Sequence, residues 1–311
     1  MAAALEETPV SYEDLADIER DFDDAETDII RKQVLLTAPL YARRSKTISQ
    51  IPNFWPLVLE QAPPDIDQYI QPSDSALLLS SLLSLSVSHF EITENGHGDP
   101  RSVSVRFEFA ENEYFEDKVL EKKFWYRRSR DGWSGLVSEP VPIRWKKDRD
   151  LTGGLLDMVV KAWEGEKTTA SRNSNGAVKG KGGLSPEQKA LKKKIENTGM
   201  GGLSFFAWFG FIGRHVSAEE SAAATAAEKQ KREDDVGMSL EIFPDGDDLA
   251  VAFTEDLWPG AIKYFTQAQE QDALSDADFE SDDEDRDLDE PAEDSEDEED
   301  GERPAKKQRS A

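Results

Sequence analysis

Histidine, cysteine and carboxylate carry most acid–base, nucleophilic and metal chemistry, so their spacing is weighed first. The 311-residue chain has no cysteine, which excludes disulfides, thiolate metal sites and cysteine nucleophiles. Its three histidines are isolated. His89 falls in a stretch patterned as a strand, His97 in turn chemistry and His215 beside Arg214, and their separations match no metal-ligand spacing. Gly176 to Gly182 with Lys181 superficially resembles a phosphate-binding loop. The spacing is wrong, no Ser or Thr follows the lysine and no strand precedes it, so the segment reads as a linker. The chain is read as a non-enzyme with no metal and no cofactor.

Carboxylates are the abundant chemical resource. The formal net charge is -28. Asp276 to Glu302 holds eighteen acids against Arg286, a net of -17; the terminal Arg303, Lys306, Lys307 and Arg309 return +4, so residues 1–275 carry -15. A second acidic set therefore lies in the part expected to fold: Glu219, Glu220, Asp234, Asp235, Glu241, Asp245, Asp247, Asp248, Glu255 and Asp256. Their default reading is a solvated face. Their functional reading is a surface for a strongly basic protein, since naked nucleic acid is a poor direct partner for such a charge. Ser275, Ser281 and Ser295 each have an acid three residues on, the pattern of an acid-directed kinase. Arg303, Lys306, Lys307 and Arg309 form an isolated basic cluster with the pattern of a nuclear import signal, so a nuclear location, with shuttling to the cytoplasm, is expected.

Several elements must position these groups. Residues 1–10 read as a flexible N-terminus without a signal peptide. Residues 11–50 read as one long helix, started by a capping-box pattern at Ser11 and Asp14. Leu15, Ile18, Phe22, Ala25 and Ile29 recur at alternating spacings of three and four, and Leu36 continues the stripe. That is a coiled-coil seam, read as a homodimer interface; the alternative is a helix lying on its own domain. Pro39 is expected to kink the helix or break it at Ala38. A leucine-rich helix over Ser75 to Leu83 should lead into strands over Leu85–Ile92, Val103–Phe109, Val119–Arg128 and Val141–Trp145, an antiparallel meander. A helix is expected over Asp150–Trp163, then a flexible basic insertion over about 164–202 containing a short helix from Ser185. The aromatics Phe54, Trp55, Phe124, Trp125, Trp145, Phe205, Phe206, Trp208, Phe209 and Trp258 are assigned to the core. An alanine-rich helix over Ser217–Arg232 and two closing helices over Pro244–Asp256 and Pro259–Phe265 complete a domain spanning 51–267. A disordered acidic tail is expected over 268–302 and the basic signal over 303–311. The longest apolar run, Ala76 to Leu85, is too short and serine-rich to span a bilayer.

Five stretches taken together resemble the nucleosome assembly protein family, and within it the SET-type histone chaperones: Ala38–Trp55, Phe107–Phe124, Ile143–Thr152, Ser204–Phe209 and Asp256–Phe265. They fall in the family's order across roughly residues 11–267. The resemblance implies an α+β fold, a dimer through the long helix and an "earmuff" domain with an acidic concave underside that holds core histones. On that basis Glu219, Glu220, Glu241, Asp245, Asp247, Asp248, Glu255 and Asp256 are the histone-binding candidates, the five from Asp245 onward the better ones. The insertion over Glu164–Gly202 and the longer Ser217–Val236 segment depart from the family pattern. Fungal members of the subgroup also bind a histone acetyltransferase. The rival expectation is thus a regulatory or substrate-presenting subunit of such an enzyme, or a phosphatase inhibitor.

Overall fold

The computed structural model describes residues 10–93, 97–173, 184–198, 203–225 and 240–284. The chain divides into two units, Met1–Ala268 and Gln269–Ala311. Helix α1 spans Tyr12–Ile48. Ser11 Oγ accepts from the Asp14 amide at 3.1 Å and the Ser11 amide donates to the Asp14 carboxylate at 2.9 Å, the reciprocal cap expected from the pattern. The helix runs unbroken through Pro39, so the expected break at Ala38 does not occur. The ring forfeits the bond to the Leu35 carbonyl, and Leu35 and Pro39 both stand exposed to solvent.

α1 has two working faces. Ile30, Val34, Tyr41 and Ile48 turn toward the domain and are half-buried or buried. Leu15, Ile18, Phe22, Ala25, Ile29 and Leu36 lie about 120° away around the axis, at 100° per residue, and all are exposed, Phe22 at 71% and Leu36 at 74%. The helix does lie on its own domain, and the apolar seam is a second face left over.

Short helices α2 (Phe54–Glu60), α3 (Pro64–Asp67) and α4 (Pro72–Ser81) lead into the sheet. Its strands are β1 (Leu82–Ser88), β2 (Val103–Phe109), β3 (Val119–Arg128) and β4 (Ser134–Ser138), antiparallel in the order β1-β2-β3-β4. β2 and β3 match expectation. β1 starts three residues early, because Leu82 turns extended as soon as α4 ends. β4 does not lie at Val141–Trp145. Pro140 and Pro142 remove ladder donors there, the Val141 amide donates to the Phe209 carbonyl at 2.8 Å, and Trp145 makes one isolated bridge to Phe115.

α5 runs over Leu155–Asn173, starting later and ending later than its pattern suggested. Asp150 accepts from the Thr152 and Gly154 amides, both at 2.7 Å, and Gly153 and Gly154 take left-handed φ of 60° and 84°. That turn delays the helix, which then continues to Asn173 into what was read as a loop. α6 (Pro186–Thr198) sits in the insertion and buries Leu191. Phe205–Gly210 forms a buried 3-10 turn at the centre of the core. Phe107 packs edge-on against Phe205, Trp208, Phe209 and Phe253 with ring centroids 5.6–6.2 Å apart. Of the aromatics assigned to the core, Trp125, Trp145 and Trp258 are half-buried and the rest buried.

α7 covers Ala218–Thr225; the remainder of the alanine-rich segment lies outside the described residues. α8 (Gly246–Val251) passes into a π turn, Ala252–Leu257, and α9 covers Ala261–Glu284. The backbone is therefore helical past Gln267, through the start of the stretch expected to be a tail. Residues 285–311 lie outside the described residues.

Candidate acidic interface

α3 and α8 bring the best carboxylates together around one phenol. Tyr69, just after α3, donates its hydroxyl to Asp245 at 3.0 Å. The Tyr69 hydroxyl is pushed up to about 12, first by burial, then by the Asp245 hydrogen bond and the charges of Asp245, Asp248 and Asp65. Asp247, in the first turn of α8, has its carboxyl raised by burial and by Asp248 and Asp245. Four carboxylates thus share one field. Asp247 resists ionisation beside Asp248 and Asp245, and a lysine or arginine brought there relieves that repulsion. Asp65 and Tyr69 were missed in the sequence. The field exists only once Pro63 and Pro64 turn the chain so that α3 meets the start of α8.

A second pair stands on the π turn. Glu255 and Asp256 are exposed, and Tyr264 donates its hydroxyl to Asp256 at 2.8 Å. Burial and this bond push Tyr264 up to about 12. The neighbouring Trp258 packs at a tilt of 38° on Tyr41, with ring centroids 4.1 Å apart. Arg44 lies 4.7 Å from the Tyr41 ring centroid and 4.6 Å from that of Trp258. It donates to the Trp258 and Pro259 carbonyls at 2.6 and 3.2 Å. The Asp-Leu-Trp-Pro-Gly stretch is therefore the clasp that fixes α1, and it sets Glu255 and Asp256 beside that helix. Nearer the helix start, Asp23 pairs with Arg101 at 3.0 Å and with Arg128, a second clasp that no local pattern announced.

Two expectations change. Glu241 is not a surface contact. Its carboxylate accepts from the Ile212, Gly213 and Phe243 amides at 2.9, 3.0 and 3.1 Å, and burial raises its pKa against those bonds and against the charge of Lys122. An acid used up in holding three amides is a structural residue. Glu219 and Glu220 remain on the surface side, Glu219 exposed and Glu220 half-buried, but on α7, which packs against β3 through the Arg128 amide donating to Ser221 Oγ at 3.0 Å. They belong to a different element from the Tyr69 cluster.

Among the described residues no group of three or more His, Cys, Asp or Glu is placed to hold a metal. His89 Nδ1 lies 2.5 Å from the Pro100 carbonyl, and His215 packs on Trp163 with ring centroids 5.4 Å apart. No helix of the described residues is long and apolar enough to cross a membrane. Gly176 to Gly182, Asp234, Asp235, Ser295 and the basic cluster from Arg303 lie outside the described residues; Ser275 and Ser281 fall on the α9 backbone.

A capped helix clasped to an antiparallel meander, carrying an exposed apolar stripe, with clustered carboxylates around Tyr69, defines the fold and its acidic site. Its family follows from comparison: the nucleosome assembly protein (NAP) family model matches residues 25–268, and the chain belongs to that family. A nucleosome assembly protein of Schizosaccharomyces pombe is 31% identical over 278 residues, 86% of this chain and 84% of that protein. Vacuolar protein sorting-associated protein 75 of Saccharomyces cerevisiae is 27% identical over 86% of this chain and 85% of its own length. The crystal structure of Ccp1 superposes with a TM-score of 0.51 at 28% identity, covering 83% of this chain and 95% of that one.

Proposed function

We propose that this protein is a histone chaperone that binds core histones through its acidic surfaces, withholds them from nonspecific contact with DNA, and delivers them for nucleosome assembly without ATP. The observation that carries the reading is the gathering of Asp65, Asp245 and Asp248 around Tyr69, with Asp247 beside the last two, in a member of this family. Histone lysines and arginines exchange DNA phosphates for these carboxylates, an equilibrium in which charge pairing replaces charge pairing and no nucleotide is consumed. The exposed stripe of α1 is the homodimer interface, because its apolar side chains form a narrow a/d seam that a second copy covers. Arg303, Lys306, Lys307 and Arg309 direct the protein to the nucleus. Phosphorylation of Ser275, Ser281 and Ser295 would add about -1.5 to -2 charge each and deepen the attraction. Binding and DNA competition with purified core histones test the reading: retained histone–DNA aggregates at stoichiometric protein contradict it. An acetyltransferase assay with and without the protein tests the rival reading of a substrate-presenting subunit.

A further inference from the structure

Helices α2, α3 and α4 leave a groove of about 290 Å³, floored by Leu59, Ile70, Leu78 and Leu79 and rimmed by Glu60 and Asp67. Leu59 and Leu78 are buried, but Leu79 is 37% exposed and Ile70 half-buried, so part of the apolar floor faces water. Both rim carboxylates are exposed. A cavity of roughly 150 Å³ holds a benzene ring, so a leucine- or phenylalanine-sized side chain fits. The groove and the Tyr69 cluster both border α3. Asp65 contributes to the field at Tyr69, Asp67 two residues later stands on the groove rim, and Ile70 adjoins Tyr69.

An apolar floor within a carboxylate rim selects one kind of ligand. A segment with a large apolar side chain flanked by lysine or arginine satisfies both parts. A neutral apolar segment leaves the carboxylates unpaired, and an acidic segment sets like charge against them. We infer that the α2–α4 groove is an anchor site that takes one apolar side chain from a basic segment of a histone docked on the acidic face. The inference rests on the histone-binding reading of that face and deepens it. The face supplies charge contacts that salt screens, and the groove supplies an apolar contact that salt leaves intact.

Leu79→Asp in the full-length protein separates the two contributions by sign. It adds negative charge while spoiling the floor. Attraction by charge alone keeps or tightens histone binding; an anchor weakens it. The expected result with purified core histones is a loss of about tenfold in affinity, and loss of the binding that the unaltered protein keeps at about 0.5 M salt. Leu79→Ala, which adds no charge and keeps α4 helical, should lose about threefold and carries the test if the Asp variant misfolds by circular dichroism. Unchanged or tighter binding by the folded Leu79 variants overturns the anchor. In that case weakened binding by Asp245→Asn/Asp248→Asn leaves the acidic face standing, and unchanged binding there removes both. A Leu79→Ala protein that light scattering shows to be monomeric, beside an unaltered dimer, also overturns the anchor, because a second copy then occupies the groove.

Discussion

Lys122 occupies an inward position of β3, between Leu120 and Phe124, where strand alternation calls for an apolar residue. Its ammonium donates to the carbonyls of Glu139, Phe209 and Phe211 at 2.8, 3.0 and 2.6 Å, so all three donors are used. Burial holds its pKa well below the ordinary 10.5, while Glu241 and Glu139 oppose that fall. Between the folded value and 10.5 the unfolded chain binds more protons than the folded one, so stability rises with pH in that window. Tyr69 and Tyr264, at about 12, act oppositely, and only above the ordinary tyrosine value of 10. Lys122→Met should abolish the rise in denaturation midpoint as pH climbs toward 10.5. It should also cost about 1–3 kcal/mol at neutral pH. The Phe209 carbonyl keeps the Val141 amide at 2.8 Å and the Glu139 carbonyl keeps Ser138 Oγ at 3.3 Å, which leaves the Phe211 carbonyl as the main loss. Equal midpoint shifts in variant and unaltered protein would sink this account. None of this was legible in the sequence, where Lys122 is one of two adjacent lysines and Glu241 one of many acids. Both roles are made by the Phe205–Gly210 turn and its continuation closing over the sheet.

Helix α1 was legible in outline because its signals are local: a reciprocal cap at Ser11, a three-four stripe and a charged remainder. Its second face was not, because Asp23 and Arg44 find Arg101, Arg128 and Trp258 only after 70 or more residues of intervening chain have folded. β2 and β3 were legible for the same local reason, period-two alternation over seven and ten residues. β4 was missed since Ser134–Ser138 is five residues long and holds too little alternation, whereas Val141–Trp145 has β-formers but proline at the wrong places. The two-faced α1 makes two predictions. Phe22→Asp with Ile29→Asp places charge in the exposed seam while sparing the clasped face, so light scattering should report a folded monomer. A persisting dimer would move the interface elsewhere. Pro39→Ala restores an amide for the Leu35 carbonyl within an existing helix and should stabilise the protein by about 1–3 kcal/mol in denaturant titration. A loss of stability would mean that the ring is itself part of a contact.

At the scale of the whole molecule, charge is divided between Met1–Ala268, which carries the Tyr69 cluster and the α1 clasp, and the terminal segment, which carries most of the -28. The overall acidity was readable from composition, and the clustering of Asp245, Asp247, Asp248, Glu255 and Asp256 from their order. Which acids face outward was not, because Glu241 and Asp247 differ only in what folds over them. Long-range attraction scales with total charge and sets association, whereas contacts at close range set release. A chain ending at Ala268 should therefore capture histones more slowly and with weaker salt dependence, yet hold them. The decisive measurement is the dissociation rate of core histones from full-length protein in which Asp245, Asp247, Asp248, Glu255 and Asp256 are changed to their amides, set beside the chain ending at Ala268. The account predicts release at least about tenfold faster from the amide variant and a nearly unaltered rate from the truncated chain. Truncation that abolishes binding while the amide variant releases histones at the original rate would contradict it.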